Sequence, residues 1–133
     1  MAAMKADDLS FLVIDDDPAS LALVKATLGQ ASFSNVDLFD DPIKAQQSYQ
    51  NKNYDILILD LRMPMLSGFD ILKEINEIHK TRPRTIVLTA QVEADTADKA
   101  LALGAKKVLF KPYNVKELVQ EVQSQVEALE SAD

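Results

Sequence analysis

Residues 11–18 read Phe-Leu-Val-Ile-Asp-Asp-Asp-Pro, a short aliphatic run that ends in three carboxylates and a proline. Four consecutive apolar residues are typical of a parallel strand that is covered on both faces. Proline directly after Asp17 indicates the start of a helix, with the aspartate as its N-cap. The segment therefore predicts a buried strand, an acidic loop and a helix in immediate succession.

The same succession of an apolar run and a helical pattern occurs five times along the chain. The later runs lie at residues 36–39, 56–59, 86–88 and 108–110. The run at 36–39 alternates apolar with polar residues, which is typical of an edge strand, whereas the others are continuous. Alternating strands and helices predict a five-stranded parallel sheet with helices on both faces and right-handed crossovers. We expect one α/β domain of the (βα)5 type.

Helix signals separate these runs. Leu21, Val24 and Leu28 share one face of the first predicted helix, which we expect to stop at Gly29. Asp41-Pro42 repeats the start signal before a second helix. The third opens at Gly68 and places four apolar residues on one face: Phe69, Leu72, Ile75 and Ile78.

Two further helices complete the pattern. The fourth is predicted over residues 94–103, ending at Gly104, and the last begins at Asn114. In the last helix, residues 115–122 are expected to pack on the sheet while the remainder frays. The alternative is a short heptad seam that continues into a dimer or an output domain.

Length and composition limit the chain to one compact domain. It has 133 residues, of which 47% are apolar and 26% charged, so it can build a core and does not resemble a disordered chain. We expect residues 9–130 to form the domain, with flexible ends at 1–8 and 131–133. The absence of cysteine excludes disulfides and thiolate metal sites, and a single histidine, His79, excludes a multi-histidine metal site within the chain.

The charge balance limits the partners. Twenty-one acidic and 14 basic residues give a net charge of −7, and the sequence shows no basic run, so we expect no direct nucleic-acid binding. The apolar runs are too short to span a membrane, and residues 1–8 lack the apolar core of a signal peptide. We therefore expect a soluble, cytoplasmic protein.

Polar residues follow four of the five predicted strands, at the sheet edge where ligands bind in folds of this kind. Crowded carboxylates repel one another unless a cation lies between them, and an oxygen-only ligand set suits Mg²⁺. A lysine and a hydroxyl nearby suit a phosphoryl group, towards which an aspartate can act as a nucleophile. The residues are Asp15, Asp16 and Asp17 after the first strand, Asp60 after the third, Thr89-Ala90 after the fourth and Lys111-Pro112 after the fifth.

These motifs, in this order, resemble the receiver domain of two-component response regulators and are similar to the chemotaxis regulators. The resemblance rests on Asp15-Asp16, on Asp60 followed by Met63-Pro64 and Gly68, on Thr89-Ala90 and on Lys111-Pro112. It covers residues 9–130. It implies a flavodoxin-like sheet with the strand order 2-1-3-4-5.

The resemblance also implies roles for individual residues. Asp60 is expected to be the phosphoacceptor, Lys111 to pair with a phosphoryl oxygen, and Thr89 and Ala90 to contact the phosphoryl group. The implied ligands of Mg²⁺ are Asp16, Asp60, the backbone carbonyl of Arg62, and Asp15 either directly or through a water. Mn²⁺ is expected to substitute for Mg²⁺, and the Lys111–Pro112 peptide bond is expected to be cis.

The implied partner is a phosphohistidine on a sensor kinase or a histidine phosphotransfer protein. An unidentified output partner or output domain is expected to respond, and the chain is expected to be a monomer or weak dimer. The resemblance implies no enzyme beyond catalysis of the domain's own phosphorylation and dephosphorylation. The chain is either a free-standing receiver or a part of a longer regulator.

The sequence departs from the family at two places. Many receivers carry tyrosine or phenylalanine three residues before the lysine, where this chain has Val108, so signal output is expected to use helix four or its preceding loop. Lys106-Lys107 replaces an acidic pair found in many DNA-binding regulators, which makes their dimer mode less favoured. Arg62 and Gln91 flank the entry to the predicted site and are expected to tune reaction rates.

Two other functions fit the sequence less well. Haloacid-dehalogenase-like phosphatases also form an aspartyl phosphate, but they place a second aspartate two residues after the nucleophile, where this chain has Arg62. A flavodoxin-like electron carrier needs aromatic or glycine-rich flavin loops, which a chain with three glycines and no tryptophan does not support.

Overall fold

The computed structural model describes residues 8–78, 82–90, 93 and 95–131, in which five strands alternate with five helices. The strands are β1 Phe11–Ile14, β2 Val36–Phe39, β3 Ile56–Leu59, β4 Arg84–Thr89 and β5 Lys107–Phe110. The helices are α1 Pro18–Gln30, α2 Pro42–Tyr49, α3 Gly68–Ile78, α4 Thr96–Ala102 and α5 Val115–Glu130.

All five strands are parallel and lie in the order β2-β1-β3-β4-β5. The predicted (βα)5 architecture and strand order are therefore confirmed, and β2 lies at an edge as its alternating pattern indicated. The register pairs Ile14 with Leu59, so the residues that follow β1 and β3 lie side by side at the carboxyl edge of the sheet.

Each face of the sheet carries its own hydrophobic core. Alternate residues of β1 face opposite sides: Leu12 and Ile14 contribute to one core, and Phe11 and Val13 to the other. Because helices cover both faces, the central strands are buried along their whole length, which explains why their sequences are continuously apolar.

Side-chain caps fix where three of the helices begin. Asp17 and Asp41 each accept a hydrogen bond from the backbone N–H two residues on, ahead of a proline at the first helical position. Asn114 caps α5 in the same way, by accepting from the Lys116 N–H at 2.8 Å. Asp17 is thus occupied as a helix cap.

The expectation that α1 stops at Gly29 was wrong. The helix continues to Gln30, and the left-handed residue that follows it is Ser32, with φ of 69°. The N–H of Phe33 bonds to the Leu28 carbonyl at 3.0 Å, and Phe33 is buried against Phe11, with 4.8 Å between ring centroids. The packing of Phe33 on Phe11 therefore places the end of α1 after Gly29, at a later position than the glycine signal predicts.

Two expectations about buried helix faces also need correction. The end of α5 does not fray: the helix runs to Glu130, and Val126 and Leu129 pack half-buried against the core that contains Phe11. Because Val126 and Leu129 pack against the core of their own domain, the contact accounts for their apolar character without a heptad seam. At the end of α3, Ile78 remains 42% exposed instead of joining the buried face.

Several expectations fall on residues outside the described ranges. These include His79, Gln91, Ala94 and both chain ends, residues 1–7 and 132–133. Within the described ranges, no helix is both long and apolar enough to cross a membrane.

Candidate functional site

The parallel register gathers three carboxylates at the carboxyl edge of the sheet. The Asp60 N–H donates to the Ile14 carbonyl at 3.0 Å, and the Asp15 N–H donates to the Phe39 carbonyl at 3.1 Å. These backbone hydrogen bonds extend the sheet by one residue. They therefore fix the backbone positions from which the Asp15 and Asp60 side chains project. Carboxylate oxygens of Asp15, Asp16 and Asp60 lie within 4.8 Å of one another.

Asp15 is the most deeply buried of the three acids, at 2% exposure. Its Oδ1 accepts the Asp17 N–H at 3.0 Å, and its Oδ2 accepts from Lys111 Nζ at 2.7 Å. Both oxygens are therefore occupied by donors from within the chain. Asp16, in contrast, is exposed and faces the open side of the group.

Asp60 is 7% exposed, and its carboxylate contacts two donors at longer distances. Oδ1 accepts from the Arg62 N–H at 3.3 Å, and Oδ2 lies 3.5 Å from Lys111 Nζ. Burial raises the pKa of Asp60 to about 6, against the lowering effect of the Lys111 charge, and the neighbouring Asp15 charge raises it further. Because burial and Asp15 disfavour the ionised form of Asp60, any additional positive charge beside it would stabilise that form.

Lys111 connects the two buried acids. Burial opposes its charge, but the hydrogen bond to Asp15 and the charges of Asp15 and Asp60 outweigh burial, so the pKa of Lys111 is raised. Its backbone N–H donates to the Thr89 carbonyl at 2.8 Å, which positions the lysine beside the end of β4. The Lys111–Pro112 peptide bond is cis.

The end of β4 forms the remaining wall. Thr89 is fully buried at the last position of the strand, and Ala90 follows it on the surface. The bond from the Lys111 N–H to the Thr89 carbonyl holds the end of β4 beside the lysine, and contact of Thr89 and Ala90 with a phosphoryl group stays a prediction.

The loop after β3 approaches the site closely because of Gly68. A Cβ atom at this position would lie 2.3 Å from the Asp60 carbonyl oxygen and 2.6 Å from the Leu61 Cα. The Gly68 N–H also donates to the Leu61 carbonyl at 2.9 Å, which ties the start of α3 to the end of β3. Only glycine therefore allows the start of α3 to approach the backbone of Asp60 and Leu61 so closely. The sequence motif alone does not reveal this reason.

Arg62 contributes its backbone to the site, while its side chain lies on the surface. The guanidinium is 73% exposed and pairs with Glu93 at 3.4 Å, across the gap between the loops after β3 and β4. Sequence reasoning did not find Glu93, because only the fold brings these two loops together.

Tyr113 is a second neighbour that the sequence motifs did not include. It lies two residues after Lys111, and its hydroxyl is buried with no hydrogen-bond partner among the described residues. Burial raises the pKa of Tyr113, with the Lys111 charge acting against the shift. Val108, the residue that departs from the family, is half-buried against the core that contains Leu12 and Ile14.

The donor set fits a hard divalent cation. Three carboxylates converge within 4.8 Å, and only Lys111 offsets their charge among the described residues. Oxygen ligands with one open, exposed side suit Mg²⁺, which takes one or two carboxylates and keeps several waters.

A parallel sheet in this strand order, with grouped carboxylates and one lysine at its carboxyl edge, defines a class of flavodoxin-like α/β domains. Within this class, the chain belongs to the family described as the response regulator receiver domain, whose model matches residues 11–123. The chain is therefore a receiver domain of the two-component response regulators.

Curated relatives agree with this assignment. The chain is 33% identical over 106 residues to the sensor protein EvgS of Escherichia coli strain K12, which covers 80% of this chain and 9% of EvgS. It is 30% identical over 115 residues to the transcriptional regulatory protein ZraR of Klebsiella oxytoca, covering 86% of this chain and 26% of ZraR. The chain thus spans a small part of these relatives.

Solved structures of receiver domains superpose along nearly their whole length. A receiver domain protein from Clostridium thermocellum has a TM-score of 0.81 at 28% identity, covering 94% of this chain and 99% of that one. The chemotaxis protein CheY4 of Vibrio cholerae has a TM-score of 0.76 at 26% identity, covering 87% and 97%. The beryllofluoride-activated DrrB receiver domain reaches 0.81 at 25% identity, covering 90% and 97%.

Proposed function

We propose that Asp60 accepts a phosphoryl group from a phosphohistidine on a sensor kinase or a histidine phosphotransfer protein, in a reaction that depends on Mg²⁺. The observation that carries this proposal is the position of Asp60: buried at a strand end, 3.5 Å from Lys111, within 4.8 Å of two further carboxylates. Asp15 is also buried beside Lys111, but both of its oxygens accept hydrogen bonds, at 3.0 and 2.7 Å, whereas the carboxylate of Asp60 has only the longer contacts of 3.3 and 3.5 Å.

The transfer exchanges one bond to phosphorus for another. A carboxylate oxygen of Asp60 bonds to phosphorus while the bond from phosphorus to the donor imidazole nitrogen breaks. The electron pair stays on that nitrogen, which takes up a proton. The product is an aspartyl phosphate on Asp60 and a neutral histidine on the donor.

The chain's own residues position and stabilise the transferring group. Lys111 Nζ lies between Asp15 and Asp60 and can move from Asp15 Oδ2 to a phosphoryl oxygen without leaving the site. Thr89, whose hydroxyl is proposed to contact the phosphoryl group, is buried at the last position of β4. The fold holds these groups beside Asp60 before the reaction begins. Little reorganisation is then needed when charge develops on the transferring group, which makes their electrostatic stabilisation effective.

Asp15, Asp16, Asp60 and the carbonyl of Arg62 are the proposed ligands of Mg²⁺. When bound, the ion supplies positive charge that stabilises the oxygens of the transferring phosphoryl group. Since Asp16 lies on the exposed side of the acid group, it leaves a path by which the ion can enter.

We propose further that phosphorylation changes how the chain binds an output partner or an output domain, and that this takes place in the cytoplasm. A phosphohydrolase is not favoured by the site, because the position two residues after Asp60 carries the guanidinium of Arg62. That group is exposed and paired with Glu93, so it is no acid or base for hydrolysis.

The experiment uses a small phosphodonor and intact-mass spectrometry. Wild type, incubated with phosphoramidate and Mg²⁺, is expected to gain one phosphoryl group, and to gain none when the metal is chelated. Asp60→Asn should gain none under either condition. Asp98→Asn, which removes an exposed carboxylate on α4, is the matched control and should react like wild type. Equal phosphorylation of Asp60→Asn and wild type would refute the assignment.

A further inference from the structure

Among the described residues, the Tyr113 hydroxyl is the one buried side-chain group that has no hydrogen-bond partner. A buried hydroxyl has given up its hydrogen bonds to water, so native structures nearly always pair such a group within the protein. Tyr113 lies two residues after Lys111, in the segment that joins β5 to α5. An unpaired donor at this place indicates a state of the candidate site in which the hydroxyl is paired.

Tyr113 lies towards the same face of the sheet as Asp15 and Lys111. It packs against the core that contains Val13 and Leu109. Because strand residues alternate between the two faces, Asp15 shares the side of Val13, and Lys111 shares the side of Leu109. Burial raises the pKa of Tyr113, the Lys111 charge lowers it and the Asp15 charge raises it, so both charges act on this hydroxyl.

Asp15 has its donors in the free chain but stands to lose one. Its Oδ1 accepts the Asp17 N–H at 3.0 Å, and its Oδ2 accepts from Lys111 Nζ at 2.7 Å. When Lys111 moves to a phosphoryl oxygen on Asp60, Asp15 Oδ2 loses that donor, and a buried carboxylate without its donor is disfavoured. A metal bond does not remove this need, because carboxylates that bind metals also accept hydrogen bonds through their other lone pairs.

A surface cavity of about 240 Å³ gives room for such a change. Lys111, Pro112 and Tyr113 line one side of it, and the first turns of α1 line the other with Ala19, Ser20 and Leu23. A water molecule takes about 30 Å³ in the liquid, so the cavity can hold one that bridges two polar groups. Because Lys111 forms part of the wall, a shift of its ammonium towards Asp60 leaves space on the side of Tyr113.

We infer that Tyr113 is a positioning residue, whose hydroxyl donates to Asp15, directly or through one water, once Lys111 has moved to the phosphoryl group. The inference rests on the proposed phosphorylation of Asp60. The hydroxyl keeps its proton and touches neither phosphorus nor metal, and it acts by holding Asp15 in place when Lys111 leaves. Since this hydrogen bond forms only in the phosphorylated state, it stabilises that state relative to the free chain.

The three tyrosines of the chain supply an internal reference for the test. The Tyr49 hydroxyl donates to Glu74 and the Tyr54 hydroxyl donates to Asp37, so both already bond to carboxylates in the free chain. Donation to a carboxylate moves the ¹³C resonance of tyrosine Cζ downfield. In a chain labelled at this carbon, beryllofluoride with Mg²⁺ should move the Tyr113 signal downfield while the other two stay in place, and tyrosine-to-phenylalanine variants assign the three signals.

The ¹⁹F spectrum of the same sample shows separately whether beryllofluoride is bound, and Asp60→Asn should give no bound signal. Bound fluoride in wild type with an unchanged Tyr113 resonance would overturn the inference alone and leave the phosphoacceptor assignment intact. No bound fluoride in wild type, or an equal bound signal in Asp60→Asn, would overturn the proposed function and this inference together.

Two conservative variants separate this role from packing. Tyr113→Phe keeps the ring and should weaken beryllofluoride binding at saturating Mg²⁺ by roughly threefold to tenfold, while the stability of the free chain to urea does not fall. Tyr54→Phe is the matched control at the amino-terminal edge of the sheet, and it should show the reverse, a lower stability with unchanged affinity. Wild-type affinity in Tyr113→Phe, or an affinity loss matched by an equal loss of stability, would refute the positioning role.

Discussion

Gly68 sets the tightest constraint on the site at the scale of single residues. Its backbone passes so close to Asp60 and Leu61 that any side chain would meet backbone atoms, which cannot move as a flexible side chain can. The glycine therefore fixes the distance between the start of α3 and Asp60, the proposed phosphoacceptor.

Gly68→Ala should destabilise the protein by about 1–3 kcal/mol, because the added methyl overpacks against backbone. Gly29→Ala is the control: it lies within α1, has no atom within 4 Å of an added Cβ, and should be neutral or stabilise by about 0.5–1 kcal/mol. Urea denaturation of both variants measures the difference. Equal effects would show that the close approach at Gly68 does not constrain the fold.

A second residue-scale feature links β2 to the segment before β3. The Tyr54 hydroxyl donates to Asp37 Oδ2 at 2.6 Å, and Lys52 Nζ pairs with the same oxygen at 3.0 Å. The Tyr54 hydrogen bond, with help from Lys52, lowers the pKa of Asp37, while burial and the Asp37 bond raise the pKa of Tyr54 to about 12. A depressed carboxyl pKa stabilises the fold while that carboxyl is ionised.

Tyr54→Phe should therefore cost about 1 kcal/mol at neutral pH, and progressively less at acid pH. The stabilisation by Asp37 is complete above its unfolded pKa of about 4 and is lost as the pH falls through the lower folded value. Urea denaturation at pH 7 and near the acid limit of folding measures this. Tyr113→Phe, which removes a hydroxyl without a partner among the described residues, should show no such trend. A Tyr54→Phe cost that does not fall with pH would contradict the account.

At the scale of elements, α4 is the least anchored helix beside the site. It has seven residues, of which Thr96 and Ala100 are buried, and its N-cap residue Asp95 makes no side-chain capping bond. Lys99 lies over the Phe69 ring of α3 at 4.4 Å, an exposed contact of modest energy. Since Val108 supplies no ring that could swing towards Thr89, α4 is the element expected to respond to phosphorylation.

Beryllofluoride, which mimics the phosphoryl group when it is added together with Mg²⁺, should shift the amide resonances of α4 more than those on the exposed face of α1. The reason is that α4 buries little area and can move at low cost. An ¹H–¹⁵N comparison with and without the mimic measures this, and Asp60→Asn provides the unreactive control. Shifts limited to the loops of Asp15, Asp16 and Asp60, with α4 unchanged, would rule α4 out as the output element.

The elements also show what the sequence can and cannot predict. The five strands were predicted from apolar runs to within two residues, because burial on both faces leaves a pattern that does not depend on tertiary detail. The end of α1 was missed because Phe33 docks on Phe11, a contact between distant residues. The end of α5 was missed for the same reason, since Val126 and Leu129 find a core that local spacing does not reveal.

The candidate site also has features that the sequence predicts and features that depend on tertiary structure. Asp15, Asp16, Asp60, Thr89 and Lys111 could be placed together because parallel strands align their carboxyl ends. The preference of Lys111 for Asp15 at 2.7 Å over Asp60 at 3.5 Å could not be predicted, because it depends on loop geometry.

At the scale of the whole molecule, Mg²⁺ should stabilise the folded chain. An ion that binds the proposed site only in the native state raises stability with its concentration, by about 1.4 kcal/mol at tenfold above the dissociation constant. Asp16→Asn should lose most of this gain, and its metal-free form should be at least as stable as wild type because one of three repelling charges is removed. Thermal unfolding against Mg²⁺ concentration measures both effects. An unchanged Mg²⁺ response in Asp16→Asn would place the metal elsewhere.

The central claim is that the phosphoryl group is carried by Asp60, and its most direct test locates the modified residue. Wild type is phosphorylated with phosphoramidate and Mg²⁺, and the acyl phosphate is reduced with borohydride, which converts the phosphorylated aspartate to homoserine. The digest is then sequenced by tandem mass spectrometry. We predict conversion at Asp60, with Asp15 and Asp16 unchanged in the same sample. Conversion at Asp15 or Asp16, or a phosphorylated chain in which Asp60 remains aspartate, would contradict the account.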